Sequence, residues 1–345
     1  MKHATLTTIL GCVTVLILET SCTKDKKPTD ISTQYTVITL AGSGVRGSVD
    51  GPATNAQFYQ PNKIAADGLG NVYVSDVSRY CVRKITKDGM VSTFAGGTKG
   101  KADGSGASAQ FTRPGSLAVD AQNNVYVADS ERIRKITPSG NVTSVTGDLI
   151  GGIVNTGVGF YEIGGIAVDR QGNIFAITTA VLKSQILKIT PGGGMSVFID
   201  TAQNFATVGF LSTLHDITID ASGNILVTRN VMLEYEIYRI TPSKMVTLVA
   251  TTPDILGLAI DPNSGEVIFT GPTDCLLMNC VKHWNVYKIN SSAASVNIAG
   301  GEKGFADGTG NVARFNVAAG ISADPQGNLY VADQENNRVR KISRN

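Results

Sequence analysis

Apolar residues come in short runs along this chain, and the runs carry them on both faces of a strand. "SLAVD", "NNVYVAD" and "RIRKIT" (within Ser116–Thr137) are separated by turns rich in Asn, Asp and Gly. Short strands with two apolar faces must be covered on both sides, so the pattern predicts small sheets stacked face to face. Beyond the leader, no stretch sustains apolar residues at helical spacing, and Val, Ile and Thr are frequent.

The runs repeat. "KIAADGLGNVYVSD", "SLAVDAQNNVYVAD", "GIAVDRQGNIFAIT", "DITIDASGNILVTR", "GLAIDPNSGEVIFT" and "GISADPQGNLYVAD" align on Asp67, Asp120, Asp169, Asp220, Asp261 and Asp324. A second motif follows each, ending at Thr86, Thr137, Thr190, Thr241, Asn290 and Ser343, with gaps of 51, 53, 51, 49 and 53 residues. A fixed period of this length marks a propeller or solenoid. Each unit reads as four strands, the first two joined by an Asx-type turn that tolerates positive φ.

The last unit stops after its third strand, at "VRKISRN", while "YTVITLAG" (Tyr35–Gly42) stands alone at the front and matches a fourth strand. The expected fold is all-β: a six-bladed β-propeller of four-stranded antiparallel blades, closed by the N-terminal strand completing the last blade. Closure removes the open edges of a linear array. The propeller is expected over residues 34–345, behind a signal peptide (1–21) and a flexible tether (22–33).

The string "F..P..IAVD..GNVYVAD...RIRKITP.G.V.T.AG" resembles the NHL repeat, tightly in units one, two and six and loosely in three to five. The resemblance implies a binding platform. Similar propellers also include an amidating lyase and metal-dependent lactonases, and fold alone does not choose among them.

Ala4–Leu18 is an uncharged stretch of 15 residues after Lys2, too short to span a bilayer with ease and suited to a secretory leader. "ETSC" resembles a bacterial lipoprotein signal, which implies lipidation of Cys22. Glu19 departs from that pattern, where an aliphatic residue is expected. The expected location is the cell envelope or outer membrane, held by a lipid anchor; plain secretion or a soluble periplasmic protein is the alternative. Export favours a disulfide between Cys275 and Cys280, while Cys81 reads as a small buried apolar residue.

The formal charge is +2 without a run of five like charges, so no nucleic-acid partner is expected. Function is expected on the face carrying the longer loops. Three of these share an Asp-Gly and a closing Phe: Asp50 with Phe58, Asp103 with Phe111, Asp307 with Phe315. The aspartates either gather a ligand or hold a long turn shut. Asp76, Asp129 and Asp333 end a strand in the same units. They are expected to clamp Arg79, Arg132 and Arg338, or else to form a ring of carboxylates.

Unit five carries an expanded link with Leu276, Leu277, Met278 and the single Trp, Trp284, a candidate contact for a protein or glycan. His215 begins the innermost strand of unit four. A chain with His215 and His283 as its only histidines past the leader cannot build the three-His zinc site of the lyases. No metal site and no cofactor is expected. The alternative, a metal-dependent hydrolase or lyase of lactonase type, would place a divalent cation at the channel mouth near Asn62, Glu162 and Asp216.

Overall fold

The computed structural model describes residues 31–149, 160–180, 183–201, 212–231, 234–273 and 282–345. Six antiparallel sheets form the propeller. Blade one is built from Ile64–Ala66, Val72–Asp76, Cys81–Ile85 and Met90–Gly96. Blade two uses Pro114–Val119, Val125–Asp129, Arg132–Ile136 and Asn141–Ser144. Blade three runs Phe160–Val168, Ile174–Ala180, Lys183–Ile189 and Met195–Asp200. Blade four runs Ser212–Ile219, Ile225–Val231, Glu234–Ile240 and Val246–Thr252. Blade five has Gly257–Ile260, Val267–Pro272, Trp284–Ile289 and Ser295–Ala299.

Blade six takes Ala318–Ala323, Leu329–Asp333 and Arg338–Arg344 from the C-terminal end and Tyr35–Ala41 from the front. Tyr35 lies opposite Arg344, Val37 opposite Ile342 and Thr39 opposite Arg340. Blades one, two and six exceed the expected four strands. Gly51–Pro52, Gly104–Ser105 and Gly308–Thr309 each add a short outermost strand. The Asp-Gly loops fold back along the outer strand, and a glycine with positive φ makes each return.

The two-faced strands are explained by where the cores lie. One apolar cluster fills the space between each pair of neighbouring blades. Tyr73, Val82 and Ala95 of blade one, for example, meet Leu117, Val125, Val127 and Ile136 of blade two. Burying one such Val, Leu or Ile is worth about 1.5–3 kcal/mol. Cys81 is a buried free thiol, 2% exposed, and burial pushes its pKa up to about 12.

The repeated aspartate of each first turn caps it. Asp67 Oδ1 accepts from Leu69 N at 2.9 Å and Asn71 N at 2.8 Å. Asp120, Asp169, Asp220 and Asp324 repeat both bonds on their own turns. Asp261 accepts from Asn263 N and the Ser264 hydroxyl. In blades one, two, three and six a lysine of strand three lies over the ring on strand two, as Lys84 over Tyr73 and Lys135 over Tyr126. These six turns mark one end of the ring, and the blade-to-blade loops gather at the other.

Candidate functional site

Three neighbouring loops on the long-loop face are built alike. Arg83, Arg134 and Arg340 are 0% exposed in strand three of blades one, two and six. Arg134 donates to Asp103 at 2.8 Å, to Ala102 O at 2.9 Å and to Gln110 O at 2.8 Å. Arg340 reaches Asp307 at 2.6 Å, Ala306 O at 2.6 Å and Arg314 O at 2.9 Å. Arg83 repeats the set on Asp50, Val49 O and Gln57 O. The closing phenylalanines Phe58, Phe111 and Phe315, all 0% exposed, lie against these guanidiniums at 5.2, 5.2 and 5.1 Å. Each loop is thus held by an aspartate, two carbonyls and a ring converging on one buried cation.

Asp50, Asp103 and Asp307 therefore hold the long turns shut. Two of them take the outer strand with the second oxygen, Asp50 accepting from Thr93 N at 3.0 Å and Asp103 from Ser144 N at 3.1 Å. Burial raises the Asp103 pKa, but the bonds from Ser144 and Arg134 outweigh it and leave the carboxyl lowered. The strand-end clamp expected with Arg79, Arg132 and Arg338 is a correction. Arg79 donates to Ser48, Arg132 pairs with Asp148, and Arg338 donates to Ser43 O. The partners of Asp129 and Asp333 are Arg134 at 3.3 Å and Arg340 at 2.8 Å. Arg132 and Arg338 open their strands on the same face, two residues before Arg134 and Arg340, and only the deeper arginine of each pair is fully buried.

The missed arginines left a trace in the sequence. "VRKI", "IRKI" and "VRKI" carry them in units one, two and six, while the same position holds Leu187, Tyr238 and Tyr287 elsewhere. Those three units are the ones with Asp-Gly loops.

The six innermost strands enclose a channel cavity of about 520 Å³. The residue opening each aligned motif is Lys63, Ser116, Gly165, Asp216, Gly257 or Gly320. In blades two, three, four and six, β-bulges at this point turn the strand. Ser116 Oγ accepts from Ile166 N at 3.1 Å in the next blade, and Asp216 Oδ2 accepts from Leu258 N at 3.1 Å. At Gly165 and Gly257 the next blade comes too close for a side chain, since a Cβ would lie 2.9 Å from Ile217 Cγ2 or Ile321 N.

Lys63 has no counterpart and reaches inward. Its Nζ donates to Asp216 at 2.9 Å and to Leu256 O at 2.9 Å. It thereby links blade one to blades four and five. His215 sits beside this pair, bonded to Thr213 Oγ at 2.9 Å, with its ring 5.8 Å from Tyr235. Desolvation and the Lys63 charge lower its pKa, so the imidazole stays neutral at pH 7. Asn62 flanks Lys63. The side chain of Glu162 lies outside the described residues, as do Cys22, Cys275, Leu276, Leu277, Met278 and Cys280. Trp284 begins strand three of blade five and packs, partly buried, against the cluster between blades five and six. Among the described residues no three His, Cys, Asp or Glu side chains converge as metal ligands, and no helix is long and apolar enough to cross a membrane.

Residues 315–342 match the NHL repeat family. No curated protein matches the chain in sequence. Among solved structures the chain is similar to a Bacteroides thetaiotaomicron protein of unknown function, with TM-score 0.68 and 17% identity over 90% of this chain and 76% of that one. It is also similar to an auxiliary nutrient binding protein from the same organism, with TM-score 0.62 and 14% identity over 90% and 76%. A gluconolactonase from Xanthomonas campestris gives TM-score 0.60 and 13% identity over 90% and 89%. At these identities the likeness is one of fold.

Proposed function

Taking as premise that the chain is a six-bladed β-propeller with an NHL repeat in its last blade, we propose that it is a non-enzymatic binding platform of the cell envelope. Its long-loop face holds a protein or a glycan, and Cys22 carries the lipid that tethers it. The observation that carries this reading is the triple lock on Arg83, Arg134 and Arg340. It holds three adjacent loops in one shape and occupies the carboxylates of Asp50, Asp103 and Asp307. A preformed surface loses little entropy on binding. The likeness to an auxiliary nutrient binding protein supports the same reading.

The alternative is a metal-dependent hydrolase or lyase, in line with the likeness to a gluconolactonase. His215 and Asp216 at the channel mouth favour it, but Asp216 is already taken by Lys63 and Leu258 N. A crosslinking pull-down of the lipidated, tagged protein from its native envelope tests the platform. A stoichiometric partner is expected, weakened when Leu276, Leu277 and Met278 become serine or when Tyr59 and Phe305 become alanine. Lactone turnover that requires an added divalent cation and is lost in His215→Ala would overturn it.

A further inference from the structure

We infer that the long-loop face of blades six, one and two takes an acidic glycan, held by an arc of three cations. This rests on the platform reading and names its partner. The arc is Arg46, Lys99 and Lys303, one in each locked loop. Each precedes a glycine whose N–H donates to the carbonyl of the closing phenylalanine: Gly47 to Phe58 at 3.1 Å, Gly100 to Phe111 at 3.1 Å, Gly304 to Phe315 at 3.0 Å. The same bond in three neighbouring blades sets the three cations at one level of the face. All three residues are exposed.

Two of the acids nearby are engaged elsewhere. Glu302 is held by Arg314 at 2.8 Å, and Asp148 by Arg132 and by Lys101 at 3.2 Å. Glu335 accepts from Gln60 at 2.8 Å and comes only to 3.7 Å from Arg46. The loop aspartates Asp50, Asp103 and Asp307 bind the buried arginines beneath them, two of which also hold Asp129 and Asp333. Among the described residues Lys99 and Lys303 have no ion-pair partner, and Arg46 has only the long contact with Glu335, which leaves their charge to an outside anion.

Aromatic rings accompany the cations. Tyr59 lies 5.0 Å from the Arg46 guanidinium and Tyr80 5.9 Å from Lys99 Nζ. Phe305, 45% exposed, lies 3.8 Å from Arg338. Cations for carboxylate or sulfate, two of them lying over aromatic rings, with the exposed Phe305 nearby to meet the apolar part of a sugar, suit an acidic polysaccharide. Three separated charges on a chain of net charge +2 are few for a nucleic-acid backbone.

The test is binding of polygalacturonate by the whole protein, with dextran as the neutral control and salt varied. Polygalacturonate is expected to bind and dextran not, with affinity falling about tenfold from low to moderately high salt as screening sets in. The triple variant Arg46→Gln, Lys99→Gln, Lys303→Gln is expected to lose at least about tenfold in affinity at unchanged melting temperature. A triple variant on the opposite face, Lys87→Gln, Arg170→Gln, Lys244→Gln, is expected to bind as the parent does. Equal binding by the arc variant, or equal binding of dextran, would overturn the inference. So would an RNA or an acidic peptide that displaces polygalacturonate at far lower concentration. A protein or neutral glycan captured by this face without polygalacturonate binding would overturn the acidic partner and leave the platform standing.

Discussion

Lys63 and Asp216 meet at 2.9 Å although 153 residues separate them. They occupy the same position of the repeat, in blades one and four, on opposite sides of the ring. The pair is a strut through the channel, and its side chains are only 21% and 13% exposed. Ion pairs this sheltered are screened less than surface ones, yet their desolvation offsets part of the attraction.

A double-mutant cycle measures the strut. Lys63→Met leaves Asp216 with backbone donors alone, and Asp216→Ala leaves Lys63 with the Leu256 carbonyl. Each single change is expected to cost about 1–3 kcal/mol, with a coupling of about 1–2 kcal/mol. Denaturant unfolding gives the four stabilities. A coupling near zero would mean that the two residues act separately.

Arg134 should matter far more than the aspartate it holds. Arg134→Met leaves Asp129 uncompensated in the interior and frees two carbonyls, at an expected cost of about 3–5 kcal/mol. Asp103→Asn keeps an acceptor at a half-exposed site and is expected to cost about 1 kcal/mol. Amide exchange should rise across Gly96–Phe111 in the first variant and little in the second. Equal effects would refute a lock centred on the arginine.

The blades were legible because a repeat averages over local ambiguity: six copies at one spacing settle strand order where a single run cannot. The odd front strand was legible for the same reason, as the piece that the sixth unit lacks. Loop closure by Asp50, Asp103 and Asp307 was readable as one of two outcomes. Choosing Arg134 over Arg132 was not, because both follow Asp129 closely and, two residues apart in one strand, share a face; only the loop folded over the deeper position decides which is buried. The Lys63–Asp216 strut was hidden too. Each residue reads as an ordinary strand opening, and only ring closure brings opposite blades within a side chain's reach.

The closing strand offers a test by alternation. Val37 is 0% exposed and faces the cluster between blades five and six, whereas its neighbour Ile38 is 47% exposed. Val37→Asp puts a carboxylate among apolar side chains and is expected to cost at least about 3 kcal/mol or to unfold the ring. Ile38→Asp should stay within about 0.5 kcal/mol. Circular dichroism melts distinguish them. Similar melts for the two would mean that Tyr35–Ala41 does not complete blade six in solution.

Asp76 sets a pH dependence of its own. It is 0% exposed, and its Oδ2 accepts from Tyr59 N at 2.9 Å. Burial raises its pKa to about 6, against the pull of that bond and of Arg83. An unfolded chain would titrate it near 3.8. Between those values the folded state binds the proton more tightly, so this group's contribution is full below pH 4 and is lost as pH rises through 6. Asp76→Asn cannot titrate and keeps an oxygen for Tyr59. Relative to the parent, the variant should therefore gain stability between pH 4 and pH 7, on the order of 1–3 kcal/mol. Urea unfolding of both proteins across that range gives the difference directly. A variant that instead loses ground as pH rises would show that attraction to Arg83 outweighs burial, and that Asp76 is charged in the fold at all these pH values.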